Sequence, residues 1–249
     1  MKKSPFVLVL ALTSGVLAWT SVAHAQEADA AFPKPPRAES KFGLELRFGP
    51  YRPDVDSAFS GIKPYEQVFG DSTRFMVGGE FDWHPLHIPH FGSLGVGGLI
   101  GFTSASGNAK FTDGSGDSAE TTKLSMWLLA ALAVLRVDVI ARETWIPIVP
   151  YAKIGPAAGL WTSENGLGIS EVDGVLGRGK TYGMMYALGG MLMLDFLDRQ
   201  SAKTFDAEQG VRHTYLLGEF TWADVNGLGQ SGALRVGDKT WTTGLAMEF

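Results

Sequence analysis

Three histidines, His84, His87 and His90, stand at H-x2-H-x2-H spacing among Pro85 and Pro89. Neutral imidazoles bind zinc or copper. A tetrahedral site needs a fourth ligand at fixed spacing, and none follows, so a solvated turn is the simpler reading and no metal is assigned. Asp113-Gly114-Ser115-Gly116-Asp117 offers oxygen ligands to a hard cation but lacks the rest of a calcium loop, including its distal Glu. Gly177-Arg178-Gly179-Lys180 lacks the spacing and the Ser/Thr of a phosphate loop. Gly95-x-Gly97-Gly98 lies inside a strand pattern rather than at a strand–helix turn, so no nucleotide cofactor is implied. His213, Tyr215 and Glu219 are the single hint of acid–base chemistry, and they read as a packed hydrogen-bond network. We therefore expect no catalytic residue and no cofactor.

The other chemistry-bearing residues are charges that recur among apolar neighbours: Glu45, Arg47, Arg74, Glu80, Asp82, Lys123, Lys153, Asp195, Glu219 and Glu248. What positions them is a period-two pattern, which puts alternate side chains on opposite faces of a strand. In Lys41–Gly49, Phe42, Leu44, Leu46 and Phe48 oppose Gly43, Glu45, Arg47 and Gly49. In Thr73–His84, Phe75, Val77, Phe81 and Trp83 oppose Arg74, Met76, Glu80 and Asp82. Similar patterns cover Ser93–Thr103, Ile148–Trp161, Thr181–Phe196, Arg212–Ala223 and Thr240–Phe249. Thr122–Val139 is apolar on both faces. It is too short an apolar run to cross a bilayer as a helix, and it is read as a strand with Lys123, Ser125 and Trp127 on the polar side. Prolines 147, 150 and 156 suggest bulges or an uneven edge in the fifth strand.

The eight strands are near or above the roughly 9–11 residues that cross hydrocarbon when tilted. Connections alternate: Tyr51–Ser72, Ser104–Thr121, Thr162–Lys180 and Asp224–Lys239 are long and polar, whereas Pro85–Gly92 and Ile140–Pro147 are short. Leu197–Val211 is the exception, with a helical turn expected near Asp198.

The chain of 249 residues carries a formal net charge of −5, which argues against a nucleic-acid partner. It has no Cys, which excludes disulfides, thiolate metal sites and lipoprotein acylation. Lys2 and Lys3, the apolar Phe6–Ala18 and Ala23-His24-Ala25 form a secretory signal peptide pattern with cleavage after Ala25. We read residues 1–25 as that signal, 26–40 as a Pro-rich periplasmic lead-in and 41–249 as one domain.

One face of nearly every strand is apolar, while the other carries Glu, Arg, Asp, Lys and Gly. A soluble sandwich buries its apolar face and charges its outside. A membrane barrel inverts this, and closure leaves no unpaired edge. The expected fold is all-β: a transmembrane antiparallel β-barrel of eight strands, or ten if the long loops carry hairpins. Trp83, Tyr182, Trp222 and Trp241 fall near strand ends on the lipid side, where interfacial aromatics gather.

The signal, the even strand number and the terminal Trp241-x-Thr243-x-Leu245-x-Met247-x-Phe249 resemble small outer-membrane β-barrel proteins. In those families the terminal pattern is the assembly signal read by the barrel assembly machinery. The architecture is similar to the OmpA-type eight-stranded barrel without a peptidoglycan-binding domain. The first strand, Phe42–Arg47, also resembles an uncharacterised outer-membrane barrel family. The resemblance implies an outer-membrane location, a periplasmic N-terminus and four external loops. It also implies outer-membrane lipids and lipopolysaccharide as neighbours, but assigns no activity. The lumen charges form an ion-pair network in this reading, and the loops carry interaction. The alternatives are a narrow solute pore, a lipid-modifying outer-membrane enzyme and a soluble periplasmic lipocalin-like carrier.

Overall fold

The computed structural model describes residues 40–110, 116–172, 174–230 and 232–249. The expected signal peptide and lead-in, and most of Asp113–Asp117, lie outside the described residues. Eight long strands form the domain: β1 (Phe42–Tyr51), β2 (Arg74–Ile88), β3 (Gly92–Lys110), β4 (Asp117–Arg136), β5 (Ile148–Asn165), β6 (Arg178–Met193), β7 (His213–Asp224) and β8 (Asp238–Glu248). Each pairs antiparallel with its chain neighbours. β1 pairs with β8 from Gly43↔Glu248 to Phe48↔Thr243, so the sheet closes and has no free edge. Short two-residue strands occur only in the β5–β6 connection, and none adds a ninth barrel stave.

The wall is apolar outward. Leu46, Phe75, Phe81, Leu188, Leu216 and Leu245 are exposed, while Glu45, Glu80, Asp82 and Lys153 are buried inside. Exposing this much apolar surface to water costs roughly 25 cal/mol per Å², whereas hydrocarbon imposes no such cost. This polarity defines a transmembrane β-barrel and is the reverse of what a lipocalin-like carrier requires. Trp83, Tyr182 and Trp241 stand on the outward face near strand ends.

The connections correct the expected alternation of lengths. At one end, here the loop end, lie residues 52–73, 111–116, 166–177 and 225–237; at the other, the turn end, lie 89–91, 137–147 and 194–212. Most of Ser104–Thr121 is strand, because β3 and β4 run on for 19 and 20 residues. That is about twice what hydrocarbon requires, so their hairpin projects beyond it. The prolines also differ from expectation. β5 keeps one register with β4 through Pro156 and only skips pairs there, while the bulge falls between Trp83 and Leu86, at Pro85. A proline facing outward forfeits a ladder bond without shifting register.

Two connections fold back over the loop-end mouth. A 3-10 turn (Asp54–Ala58) and helix α1 (Pro64–Phe69) place Val55 and Tyr65 against Leu124, Ala105 and Met126, with Val225 and Val236 from the β7–β8 connection. Gly107 permits this, because a Cβ there would strike the Val68 carbonyl. Asp56 Oδ1 accepts from the Tyr65 N–H at 2.7 Å, and the Tyr51 hydroxyl donates to the Val236 carbonyl.

At the turn end, α2 (Val139–Glu143) and α3 (Arg199–Gln209) occupy the two longer connections. α3 begins where Asp198 Oδ1 accepts the N–H groups of Gln200 and Ser201, both at 3.0 Å, and it ends at Gly210 in the left-handed region. These bonds favour the Asp198 carboxylate and hold its pKa below the ordinary value. A depressed pKa stabilises α3 above the ordinary carboxylate range, and the contribution is lost as pH falls through the lower, folded value. Asp198→Ala is expected to speed amide exchange in α3 at neutral pH while leaving barrel amides protected. In the parent chain the same local loss should appear only on strong acidification. Unchanged α3 exchange in the variant would refute the cap.

Candidate functional site

The lumen is built from the inward parity of each strand. Glu45 and Arg47 come from β1, Glu80 and Asp82 from β2, Arg136 from β4, Lys153 from β5, Glu219 from β7 and Glu248 from β8. Six of the eight strands thus meet in one cluster. The Lys153 ammonium lies 2.8 Å from Glu45 Oε2 and 2.7 Å from Glu80 Oε1. Arg47 reaches Glu80 at 2.8 Å and Glu219 at 2.7 Å, and it also pairs with Glu45. Arg136 spans Asp82 at 2.7 Å, Glu45 at 3.2 Å and Glu248 at 3.0 Å. The Tyr215 hydroxyl donates to Glu248 at 3.0 Å, and Thr221 donates to Glu219 at 2.9 Å.

The remaining two strands supply room. Gly97 of β3 lies under the Asp82 carboxylate, and Gly189 of β6 lies under the Tyr151 ring; a Cβ at either would collide. Glu45, Glu80 and Asp82 bring carboxylate oxygens within 4.8 Å of one another. Lys153, Arg47 and Arg136 already serve these oxygens, so the cluster has the character of an ion-pair lattice rather than a cation cage. Buried charges persist only when paired in this way.

Apolar groups flank the lattice on both sides. Toward the loop end lie Leu99, Leu128, Met185 and the lid residues Val55 and Tyr65. Toward the turn end lie Val149, Met191, Leu217 and Ala246. An apolar cavity of about 30 Å³ between Met76, Leu99, Leu128 and Met185 remains above the lattice. That is about the volume of one water molecule. This arrangement excludes passage of solute in the state described, and no general acid–base pair faces an open cleft within it.

Of the sequence-derived lumen residues, Glu45, Arg47, Glu80, Asp82, Lys153, Glu219 and Glu248 meet in the lattice, whereas three do not. Arg74 lies at the loop end, where its guanidinium donates to the Phe69 carbonyl. Asp195 lies past β6 in the turn, 2.5 Å from His213 Nδ1. Lys123 is a correction: it is exposed on the outer face of β4, as is Trp127, and the inward parity carries Leu124, Met126, Leu128 and Arg136. Lys123 and Arg136 fall on opposite parities, so only one can face the lumen. Arg136 is at the membrane depth of Glu45 and Asp82, whereas Lys123 pairs across from Glu164 near the loop end, where an outward cation meets water.

The histidines separate. His84 is buried on the inward row of Glu80 and Asp82; His87 accepts from Arg142 at 3.1 Å, and His90 lies 3.1 Å from Glu143. His213 bonds to Asp195 and Tyr215 to Glu248, so His213, Tyr215 and Glu219 form no relay. In the terminal strand, Trp241, Leu245 and Phe249 point outward, with Thr243 and Met247 on the same parity.

The fold and lumen together define a filled, membrane-spanning eight-stranded β-barrel. No family model matches this chain, and no curated protein matches it either. Among solved structures it is similar to the outer membrane protein OprG from Pseudomonas aeruginosa, at 14% identity and TM-score 0.47 over 84% of this chain and 96% of that one. It is also similar to Neisserial surface protein A, at 10% identity and TM-score 0.43 over 84% and 96%. A third is Ail, the attachment invasion locus protein of Yersinia pestis, in complex with the heparin analogue sucrose octasulfate, at 12% identity and TM-score 0.43 over 84% and 97%. Likeness at this level says nothing of ligand or activity.

Removing one partner of a buried ion pair costs about 3–5 kcal/mol, because a charge is left uncompensated. Lys153→Met is expected to destabilise the detergent-folded barrel on that scale, read as a lower urea midpoint for loss of β-structure. Adding Glu45→Gln and Glu80→Gln to the same chain should restore most of the loss. A single variant as stable as the parent would refute the lattice as a stabilising element.

Proposed function

We propose that this chain is an integral outer-membrane protein with a structural or interaction role, exported by residues 1–25. Its barrel is a rigid carrier for the loop-end connections, which face outward, and it has no enzymatic role. The observation that carries this reading is the filled lumen: a neutralised charge lattice between two apolar clusters, under a lid made by Val55 and Tyr65. Such a barrel offers no path for solute, so its accessible chemistry lies on its outer wall and its loops. The outward apolar wall supports membrane insertion, and closure through β1 and β8 satisfies the backbone there.

The loop end carries α1, the projecting β3–β4 hairpin and the two-residue strands of the β5–β6 connection, which is ordered structure suited to contact. At the turn end, His90–Glu143 and His87–Arg142 tie the β2–β3 turn to α2.

Envelope fractionation followed by gel electrophoresis of unheated and boiled protein tests this reading. The expected result is recovery with the outer membrane and a mobility shift on boiling. In planar bilayers the purified barrel should give no stepwise conductance. Release without detergent would overturn the membrane assignment. Steady conductance steps that survive in several preparations would overturn the filled lumen and favour a narrow pore.

A further inference from the structure

Two depressions on the outer wall join at Tyr186 and Trp222. One is a cleft of about 820 Å³ at the loop-end rim, floored by those two rings and edged by Asp54, Asp224, Asn226, Arg235 and Lys239. The other is a groove of about 400 Å³, walled by the same rings with Leu94, Leu135, Ile154 and Leu188. Ligand sites of membrane and soluble proteins alike fall in this size range. The groove exists because Ala133 and Ala152 stand between larger neighbours on the outward face.

The pairing register makes the two depressions one feature. Lys239 pairs with Trp222, Trp222 with Tyr186, Tyr186 with Ile154, Ile154 with Ala133 and Ala133 with Val96. This row starts one residue inside the loop end of β8 and reaches β3 only a few residues from its turn end. Barrel strands tilt by about 35–45°, so the row descends from the rim into the hydrocarbon. A chain lying along it would enter the bilayer from a polar head at the rim.

The polar edge carries both signs. Arg52 is committed to Asp71, Glu66 and Asp56. Lys239 forms no ion pair among the described residues, although its own N–H donates to Asp238 Oδ1. Asp224 accepts only from the Asn226 side chain, at 2.8 Å. Lys239 and Asp224 therefore present one cation and one carboxylate at the rim, beside the Trp222 ring that lies between them in the register.

We propose that this continuous cleft and groove binds one zwitterionic phospholipid. An acyl chain lies over Ala152 and Ala133, the phosphate meets Lys239 and Arg235, and the head-group ammonium meets Asp224. The site rests on the membrane reading above and adds a specific lipid to it. An exposed apolar wall alone would collect annular lipid of any head group; the two-signed rim is what selects.

Native mass spectrometry of the detergent-purified full chain tests this, with added dioleoyl phosphatidylethanolamine or dioleoyl phosphatidylglycerol. One phosphatidylethanolamine should be retained, roughly tenfold more tightly than phosphatidylglycerol, as charge-assisted contacts to a second head-group charge imply. Lys239→Gln and Asp224→Asn should each reduce retention, and Ala152→Phe, which fills the groove from outside, should abolish it. Boiling-dependent mobility of each variant reports whether the barrel is intact. Equal retention of both lipids, preference for phosphatidylglycerol, or parent-like retention by folded variants would mean annular lipid only and overturn the site. A parent chain that never forms a heat-shifting barrel would instead sink the membrane reading.

Discussion

The constraint on which the structure depends is the shared ammonium of Lys153, held between Glu45 and Glu80 across the lumen. An eight-stranded barrel encloses a space just wide enough for side chains to fill. Its inward residues must therefore satisfy one another, with little help from water. Lys153 cannot bury its charge without Glu45 and Glu80, and these cannot face each other without Lys153, Arg47 and Arg136. Because the partners come from six strands, each bond in the lattice also fixes the relative height of two staves. Register across the barrel is then set from inside as well as by the backbone ladder. The closing pair β1–β8 benefits directly, since Arg136 holds both Glu45 and Glu248.

The same constraint explains the glycines and the two apolar clusters. Long charged side chains reach across the axis only where the facing wall is thin, as at Gly97 beneath Asp82. Above and below the lattice no further charges are available to pair, so the interior turns apolar, and Val55, Tyr65, Val225 and Val236 complete it from the connections. The lid is thus a consequence of filling the lumen. Its ordering spends apolar surface inward, leaving other residues of the same loops free to face out.

Strand positions were legible because alternation is strict wherever the two faces differ in polarity. Phe42–Phe48 and Phe75–Trp83 alternate with charges, and the staves fall within a few residues of the expected limits. The pattern loses its information in β4, where both parities are apolar because one meets lipid and the other meets the loop-end cluster. Lys123 and Arg136 bound that run on opposite parities, and polarity alone cannot choose between them. Depth along the strand can choose, because an outward cation is tolerated beside Glu164 near the loop end and not at the turn-end half, where Arg136 sits. The long Ser104–Thr121 connection failed for a related reason: polar alternation outside the membrane looks like loop, yet pairing in the β3–β4 hairpin continues there.

The lumen was readable because its members are single charges within apolar strands, each of which demands a partner. The outer-wall depression was not, because it is made by what is missing: two alanines among leucines and isoleucines, placed side by side by register between strands distant in sequence. Ala133 and Ala152 look unremarkable in any one strand. They acquire meaning only when the row through Lys239, Trp222, Tyr186 and Ile154 brings them under one another. A closed barrel with a sealed interior therefore moves its recognition outward, where a sheet can express a site only through the sizes of side chains along a hydrogen-bonded row and the charges at the end of it.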